Sequence, residues 1–174
     1  FIGTPTAKLY ARWIQAGAFF PYFRNHSALN TKSAEPWTFG EEVTEISRNY
    51  ISLRYKLMPY LYSTFYEATQ NGLPVVRSLA IDNTFDENVY KPAFQNQFTF
   101  GKSLLIIPVE SDKELAKIYL PKGKWYDLYN DNISEATFSN QKSATASGQN
   151  LNPATEALKL YTSFSLPANK NYSW

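Results

Sequence analysis

Apolar residues recur every three or four positions between residues 43 and 61, which is the spacing of one buried face of a helix. The positions that make this face are Val43, Ile46, Tyr50, Leu53, Leu57 and Leu61. The pattern continues to Asn71-Gly72, where glycine favours a helix end. The spacing therefore predicts a long amphipathic helix over residues 40–71.

Two features subdivide this helix. Thr38 and Glu41 have the spacing of a capping box, which satisfies the free N–H groups at a helix start. Pro59 lies inside the apolar pattern, lacks an N–H and clashes with the carbonyl four residues earlier. We therefore expect the helix to bend near residues 55–58.

A shorter helix and an aromatic run precede the long helix. Thr4-Pro5 fits an N-cap followed by proline at the first helical position, and apolar residues at helical spacing follow up to Gly17. This pattern predicts a helix over residues 5–16. The aromatic run "AFFPYFRN" at residues 18–25 favours a buried strand, although Pro21 excludes a fully paired central position.

From residue 73 the pattern changes to short apolar or alternating runs separated by turn residues. Lys122-Gly123 is typical of a hairpin turn. Residues 131–157 are rich in Ser, Asn, Ala and Thr, which is compatible with short edge strands or a loop. The predicted strands lie in residues 73–80, 97–101, 103–110, 116–121 and 124–130, with a possible closing strand at 157–166. The order is thus helical first and β second, an α+β arrangement.

Composition narrows the functional classes. The 174 residues carry a net charge of only +2, and no basic stripe is present, so the sequence predicts no nucleic-acid partner. Without cysteine, thiol catalysis and Cys-based zinc sites are excluded. No apolar run reaches the ~20 residues that span a bilayer, and no metal-ligand spacing or phosphate loop occurs, so we expect neither a membrane partner nor a cofactor. The first residue is Phe1, without Met or a signal pattern, and we expect a piece of a longer protein.

The candidate chemistry lies at the end of the aromatic run, in Arg24-Asn25-His26-Ser27. His26 is the only histidine of the chain. A lone histidine beside aromatic residues is often a structural core residue, and Arg24 could either pair with carboxylates or brace the neighbouring backbone. The residues alone leave these alternatives open.

Four stretches together resemble glycoside hydrolase family 31, which contains α-glucosidases and α-xylosidases. They are "LYARWIQAGAFFPYFRNHS" (9–27), "EPWTFGEEVTEISRNYISLRYKLMPYLYSTFYEATQNGLPVVRSL" (35–79), "NQFTFGKSLLIIPV" (96–109) and "YLPKGKWYDLYN" (119–130). The resemblance implies the last helix, strand and helix of a (β/α)8 barrel in residues 1–80. An antiparallel β-sandwich domain would follow in residues 81–174. The segment "SNQKSATASGQNLNPATEALKLYTSFSLP" (139–167) departs from the family pattern.

The resemblance also implies the site. His26 would lie at the C-terminal end of a barrel strand, where barrel enzymes place their sites, and would bind sugar hydroxyls with Phe1 lining the same subsite. The family's two catalytic aspartates belong to earlier barrel strands. Asp127, in a stretch that superficially matches the nucleophile motif, instead follows the predicted hairpin turn, so we assign no catalytic residue to this chain. Alone, the chain is expected to be inactive and to need the missing N-terminal part of the same protein.

The expected function is that of a retaining α-glycosidase acting on α-linked oligosaccharides. An α-transglucosylase or α-xylosidase of the same family is an alternative. A non-catalytic carbohydrate-binding module is an alternative of another class, and a purely structural domain is a third. A binding module would expose coplanar aromatic rings, whereas part of a barrel would show an uncovered apolar face in its helical half. The exposure of Trp13, Trp37 and Trp125 separates these readings.

Overall fold

The computed structural model of the chain describes residues 3–110, 112–113 and 116–128, and the backbone of residues 133–136 and 158–163. These residues form a mixed structure of helices and one antiparallel sheet, in the predicted order. The helices are α1 (Ala7–Gly17), α2 (Glu41–Lys56), α3 (Met58–Asn71) and the short α4 (Leu79–Asp82). The strands are β1 (Val76–Ser78), β2 (Phe98–Phe100), β3 (Leu104–Pro108), β4 (Gly123–Asp127), β5 (Ile133–Ala136) and β6 (Leu158–Ser163).

The first helix is confirmed, but it begins two residues later than predicted. Thr6, not Thr4, is the N-cap, and its hydroxyl accepts a hydrogen bond from the Leu9 N–H at 3.2 Å. Pro5 consequently lies before the cap instead of at the first helical position. The cap assignment was wrong because two Thr residues flank one proline, and only the second has its hydroxyl in reach of a free N–H.

The bend in the long helix is confirmed as a break. Leu57 separates α2 from α3, and its N–H is shared between the carbonyls of Leu53 and Arg54. The break places Pro59 in the first turn of α3, where a missing N–H has no intrahelical partner to lose. Gly72 ends α3 with φ of 73°, as the Asn71-Gly72 pair predicted.

The predicted capping box is wrong. Gly40 is the N-cap of α2 and has φ of 97°, a conformation that favours glycine. The Thr38 hydroxyl donates instead to the carbonyl of Glu35 at 2.7 Å, within the 3-10 turn Pro36–Phe39. A threonine can satisfy its hydroxyl locally, so the spacing alone did not identify the cap.

The predicted strand at residues 18–25 is also absent. After α1 the chain turns, with the Phe19 N–H donating to the Ala16 carbonyl and the Phe20 N–H to the Gly17 carbonyl. No described strand pairs its backbone with this segment, although the Phe20 ring contacts the Phe98 ring of β2 at 5.4 Å between centroids. Pro21 lacks an N–H, and the carbonyls of Ala18, Phe20 and Pro21 accept hydrogen bonds from a side chain of α2 instead of from a strand. The segment is therefore not a strand, and only its first residues, Ala18 and Phe19, are buried.

The six described strands form one antiparallel sheet in the order β1-β2-β3-β6-β4-β5. The strand predicted at residues 157–166 is confirmed as β6, but it lies between β3 and β4 instead of closing the sheet. Residues 133–136 form the edge strand β5. The strand predicted at 116–121 is wrong: these residues pair with no described strand, and the Tyr119 backbone bonds to both ends of the Gln97 side-chain amide. The Lys122-Gly123 turn therefore joins no hairpin.

Strand β3 carries the core on both of its faces. Leu104 and Ile106 belong to a cluster shared with α1, α2 and α3, whereas Leu105 and Ile107 belong to a cluster with Leu79, Val89, Ile118, Leu120 and Trp125. Successive side chains of a strand point to opposite faces. A continuous apolar run such as "LLII" therefore indicates a strand that is covered on both sides.

One tyrosine joins the helices to the sheet. The Tyr60 hydroxyl of α3 donates to the Phe100 carbonyl at 2.9 Å and accepts from the Ser103 N–H at 3.1 Å. Its ring also contacts Phe100 edge-on, at 5.7 Å between centroids. Gly101 lies beneath this hydroxyl with φ of 62°, and a Cβ there would come within 2.3 Å of the tyrosine oxygen. The close approach requires glycine.

Candidate functional site: the Arg24–His26 segment

The side chains of Arg24, Asn25 and His26 alternate in direction, as in an extended chain. Arg24 and His26 lie on one side, and both are exposed. An Arg24 guanidinium N–H lies 3.0 Å from His26 Nδ1 and a second lies 3.4 Å from the Tyr22 hydroxyl. The exposure of His26 contradicts the alternative in which this histidine is a core residue.

Asn25 anchors the segment through its side-chain amide, although the residue itself is exposed. Its side-chain amide donates to the Tyr10 hydroxyl at 3.1 Å and to the Ala34 carbonyl at 2.5 Å. Tyr10 of α1 is fully buried and stacks on Phe39, with ring centroids 4.4 Å apart. Asn25 thus connects the exposed pair to the helix on one side and to the loop that returns to α2 on the other.

The electrostatics of this anchor favour a neutral tyrosine. Burial, and then the charge of Glu35, raise the pKa of Tyr10 to about 12. A hydrogen bond from the Ser33 hydroxyl lowers the pKa of Glu35. Tyr10 therefore stays a phenol at neutral pH, and its oxygen accepts from Asn25 while Glu35 stays ionised.

Arg54 is the residue of this region that the sequence reasoning missed. From the last turn of α2, its guanidinium donates to the carbonyls of Ala18 at 2.8 Å, Phe20 at 2.7 Å and Pro21 at 3.1 Å. The guanidinium also lies 5.4 Å from the centroid of the Phe23 ring. One signal pointed to it: Arg54 follows the buried Tyr50 by four positions and so belongs to the buried side of the helix.

The structure does not bring the other singled-out residues to this segment. Phe1 lies outside the described residues. Asp127 is buried on β4, whose ladder neighbours are β5 and β6, and none of these elements holds the Arg24–His26 segment. That Asp127 is not catalytic stays a prediction.

The exposed aromatic side chains concentrate in the helical part. Trp13 and Trp37 are 53% and 70% exposed, whereas Trp125 of the β part is only 6% exposed. Its indole N–H donates to the Pro121 carbonyl at 2.7 Å. The buried Trp125 disfavours a sugar-stacking surface on β4, and the exposed helical aromatics match the pattern expected of part of a barrel.

In the described ranges, no three His, Asp or Glu side chains come together in a way that could hold a metal ion. Nor does any helix in these ranges have the length and apolar character needed to cross a bilayer.

Comparisons with known proteins give two consecutive family matches. Residues 1–64 match the glycosyl hydrolases family 31 TIM-barrel domain, and residues 72–170 match the glycosyl hydrolase family 31 C-terminal domain. Alpha-glucosidase 2 of Bacillus thermoamyloliquefaciens is 40% identical over 136 residues, covering 78% of this chain and 17% of the relative. Neutral alpha-glucosidase C of Mus musculus is 44% identical over 131 residues, covering 73% of this chain and 14% of the relative. The chain therefore spans about a sixth of these relatives.

Solved structures agree with these matches. A mutant of the GH31 dextranase of Flavobacterium johnsoniae in complex with isomaltotriose has a TM-score of 0.75 at 34% identity, over 90% of this chain and 18% of that one. The cycloalternan-degrading enzyme of Trueperella pyogenes in complex with isomaltose has a TM-score of 0.75 at 26% identity, over 95% and 24%. With two domain models of one family matching in sequence, and the fold agreeing, this chain belongs to glycosyl hydrolase family 31.

Proposed function

We propose that this chain is part of a retaining α-glycosidase. Its first part would form the seventh helix, the position of the eighth strand and the eighth helix of the (β/α)8 barrel, and the adjoining β-sandwich domain would follow. Family membership and relatives named α-glucosidases support this proposal. The dextranase and the cycloalternan-degrading enzyme were solved with isomaltotriose and isomaltose, which supports an α-linked glucose oligosaccharide as the substrate. The division between the two domains, near residue 80, stays a prediction.

The observation that carries the proposal is the orientation of His26. An arginine guanidinium can only donate hydrogen bonds, so Nδ1 of His26, 3.0 Å from Arg24, is the acceptor. The ring proton of the neutral imidazole then resides on Nε2, which becomes a donor suited to a sugar hydroxyl oxygen. Arg24 thus fixes the tautomer, a role that the residue pattern alone did not suggest.

The chemistry itself requires groups that we assign to other parts of the intact protein. A retaining glycosidase needs a nucleophile and an acid/base, two carboxyl groups about 5–5.5 Å apart. His26 would bind the sugar at the cleavage point, with Phe1 lining the same subsite. A hydrogen bond to the ring hydroxyls that strengthens as the ring distorts towards the oxocarbenium-like state lowers the barrier, and does not merely tighten substrate binding.

The test is His26→Ala in the full-length protein that contains this chain. A hydrogen bond to a strongly polarised partner contributes ~1.5–3 kcal/mol, which predicts a decrease of roughly 10–150-fold in kcat/KM. Most of the change is expected in kcat, with little change in the melting temperature because His26 belongs to neither hydrophobic cluster of the described chain. The matched control is Tyr50→Ala on α2, which removes a buried ring and is expected mainly to lower the melting temperature. A kcat/KM within twofold of the wild type would contradict the proposed role of His26.

A second comparison tests where the catalytic carboxylates lie. The 174-residue chain alone is expected to release no 4-nitrophenol from an aryl α-glucoside, whereas the full-length protein does. Activity of the isolated chain that is abolished by Asp127→Asn would show instead that this chain carries its own carboxylate chemistry.

A further inference from the structure

We infer that Arg54 is a positioning residue for His26: from α2 it holds the backbone of residues 18–21 and thereby sets where the Arg24–His26 segment presents its side chains. The inference rests on the proposed function, because it gives a reason for holding His26 in one place. Arg54 is separated from the atoms it binds by 33–36 residues, so this is a tertiary and not a local contact.

Both terminal nitrogens of the Arg54 guanidinium donate hydrogen bonds to this turn. One terminal nitrogen donates to two carbonyls, those of Ala18 and Phe20, and the other donates to the Pro21 carbonyl. All three acceptors lie in a turn that pairs with no described strand, so Arg54 supplies donors that a sheet neighbour would otherwise provide. A lysine ammonium has one nitrogen on a flexible stem and cannot reproduce this planar arrangement.

The contacts lead from Arg54 towards His26 in steps of one or two residues. The guanidinium faces the Phe23 ring, and that ring packs so closely on Gly17 that a Cβ there would lie 3.0 Å from it. Phe23 is followed directly by Arg24, whose guanidinium contacts His26. A shift of the 18–21 turn would therefore pass through Phe23 to the imidazole.

The break between α2 and α3 lies next to Arg54 and fixes the position from which its side chain extends. Arg54 lies in the last turn of α2, and its own carbonyl accepts from the Leu57 N–H at 3.1 Å, at the break. Beyond the break, Tyr60 bonds to the Phe100 carbonyl of the sheet. The end of α2 is thus tied on one side to the site segment and on the other to the β part.

The experiment compares Arg54→Lys with Arg48→Lys in the full-length protein. Arg48 lies on the same helix, is exposed and pairs with Glu45, so its change controls for a loss of guanidinium on α2. Misplacing a reacting or binding group by about 1 Å can cost up to about 100-fold, so we expect Arg54→Lys to lower kcat/KM by about 10- to 100-fold, mainly in kcat. Arg48→Lys is expected to leave kcat and KM within twofold.

A double-mutant cycle separates positioning from loss of stability. If Arg54 acts through His26, Arg54→Lys costs little further activity, less than about threefold, in a protein that already carries His26→Ala. If the two decreases multiply, or if Arg54→Lys lowers only the melting temperature, the positioning role is overturned. The milder Arg54→Lys is used because Arg54→Met could fail to fold; where Arg54→Met does fold, the same lack of additivity with His26→Ala is expected.

The same cycle keeps this inference distinct from the proposed function. An unchanged kcat/KM in His26→Ala alone contradicts the proposed role of His26, whatever Arg54→Lys does. A decrease in His26→Ala together with an unchanged Arg54→Lys leaves the function standing and overturns the positioning.

Discussion

The helical part and the β part of this chain bury their apolar residues to different degrees. Around β3, Leu105, Ile107, Ile118 and Trp125 are buried by residues of the β part itself. At the end of α2 and along α3, five aromatic or apolar side chains remain exposed: Tyr55, Met58, Tyr62, Phe65 and Tyr66. One face of the described β part is thus covered by the β part's own residues and the other packs on the helices, whereas the helical part also leaves apolar side chains exposed.

The proposed function accounts for this difference. In a closed barrel each helix packs on the strands and on its neighbouring helices, and such surfaces are rarely left exposed on a complete domain. A sandwich domain can complete much of its core from its own strands. The contrast therefore teaches that exposure, read by region, distinguishes a self-sufficient part of a chain from one built to be packed.

The largest expected effect breaks the β part. Leu105 is fully buried on β3, so Leu105→Ala is expected to lower the free energy of unfolding by about 2–5 kcal/mol through lost burial and a residual cavity. Tyr62→Ala, which truncates a side chain that is 79% exposed, is the control and is expected to change it by less than about 0.5 kcal/mol. Urea unfolding of the chain measures both, and equal decreases would contradict the difference between the two parts.

The second effect breaks the join between the parts. Gly101→Ala places a Cβ 2.3 Å from the Tyr60 oxygen and 2.9 Å from the Thr64 hydroxyl, in a backbone with φ of 62°. The left-handed conformation costs about 1–2 kcal/mol and the overpacking about 1–3 kcal/mol, so a loss of about 2–5 kcal/mol is expected. Tyr60 cannot simply move away, because its hydroxyl bonds to both Phe100 and Ser103. Gly72→Ala, with φ of 73° and open space around the added Cβ, isolates the steric part; an equal loss there would leave the close approach without effect.

Periodicity predicted the elements that bury one continuous face. The apolar steps of α2 and α3, the break near Pro59 and the end at Gly72 follow from local chemistry, and the strands β2, β3 and β4 follow from short apolar or alternating runs. Two predicted strands were wrong for one shared reason, those at residues 18–25 and 116–121. Both are apolar and extended enough to resemble strands, but a strand requires a neighbour with free N–H and C=O groups, and one sequence does not show which backbone lies alongside.

His26 could be predicted from the sequence as a candidate site residue, but the residues that orient it, Arg24 and Arg54, could not. His26 stood out because it is the only histidine and follows an aromatic run, and the family resemblance gave it a role. The tautomer of His26 depends on its hydrogen bond with Arg24, two residues earlier. The position of the 18–21 turn depends on hydrogen bonds from Arg54, more than thirty residues away. Contacts of that range are made by tertiary packing, which residue spacing does not encode.

A smaller effect concerns pH and the far side of the sheet. Burial alone would raise the pKa of Asp86, but hydrogen bonds from Tyr119 and Asn88, with Lys91 close by, lower it below its ordinary value. A carboxyl with a lowered pKa stabilises the fold above its ordinary pKa of about 3.9, and this contribution is lost as the pH falls through the folded value.

Asp86→Asn is therefore expected to lower the melting temperature at pH 6 by about 2–4 °C and to make little difference at about pH 2. The effect is small because solvent screens this partly exposed group. Glu87→Gln removes an exposed neighbouring charge and serves as the control. A difference between Asp86→Asn and the wild type that persists undiminished at pH 2 would contradict the assigned role of the carboxylate.

The smallest expected effect sharpens the picture of the join. Lys102 directly follows Gly101, and its ammonium lies 2.8 Å from the Glu67 carboxylate of α3, so this pair also links the helices to the sheet. The two side chains are 67% and 40% exposed, and solvent screening together with the entropy of ordering two long side chains offsets most of their attraction. Lys102→Met is therefore expected to leave the melting temperature within about 1 °C of the wild type. Adding about 0.5 M NaCl is expected to change the melting temperatures of the wild type and of the variant by the same amount. If Lys102→Met instead destabilised the chain as much as Gly101→Ala, the surface ion pair, and not the partly buried Tyr60, would hold the two parts together.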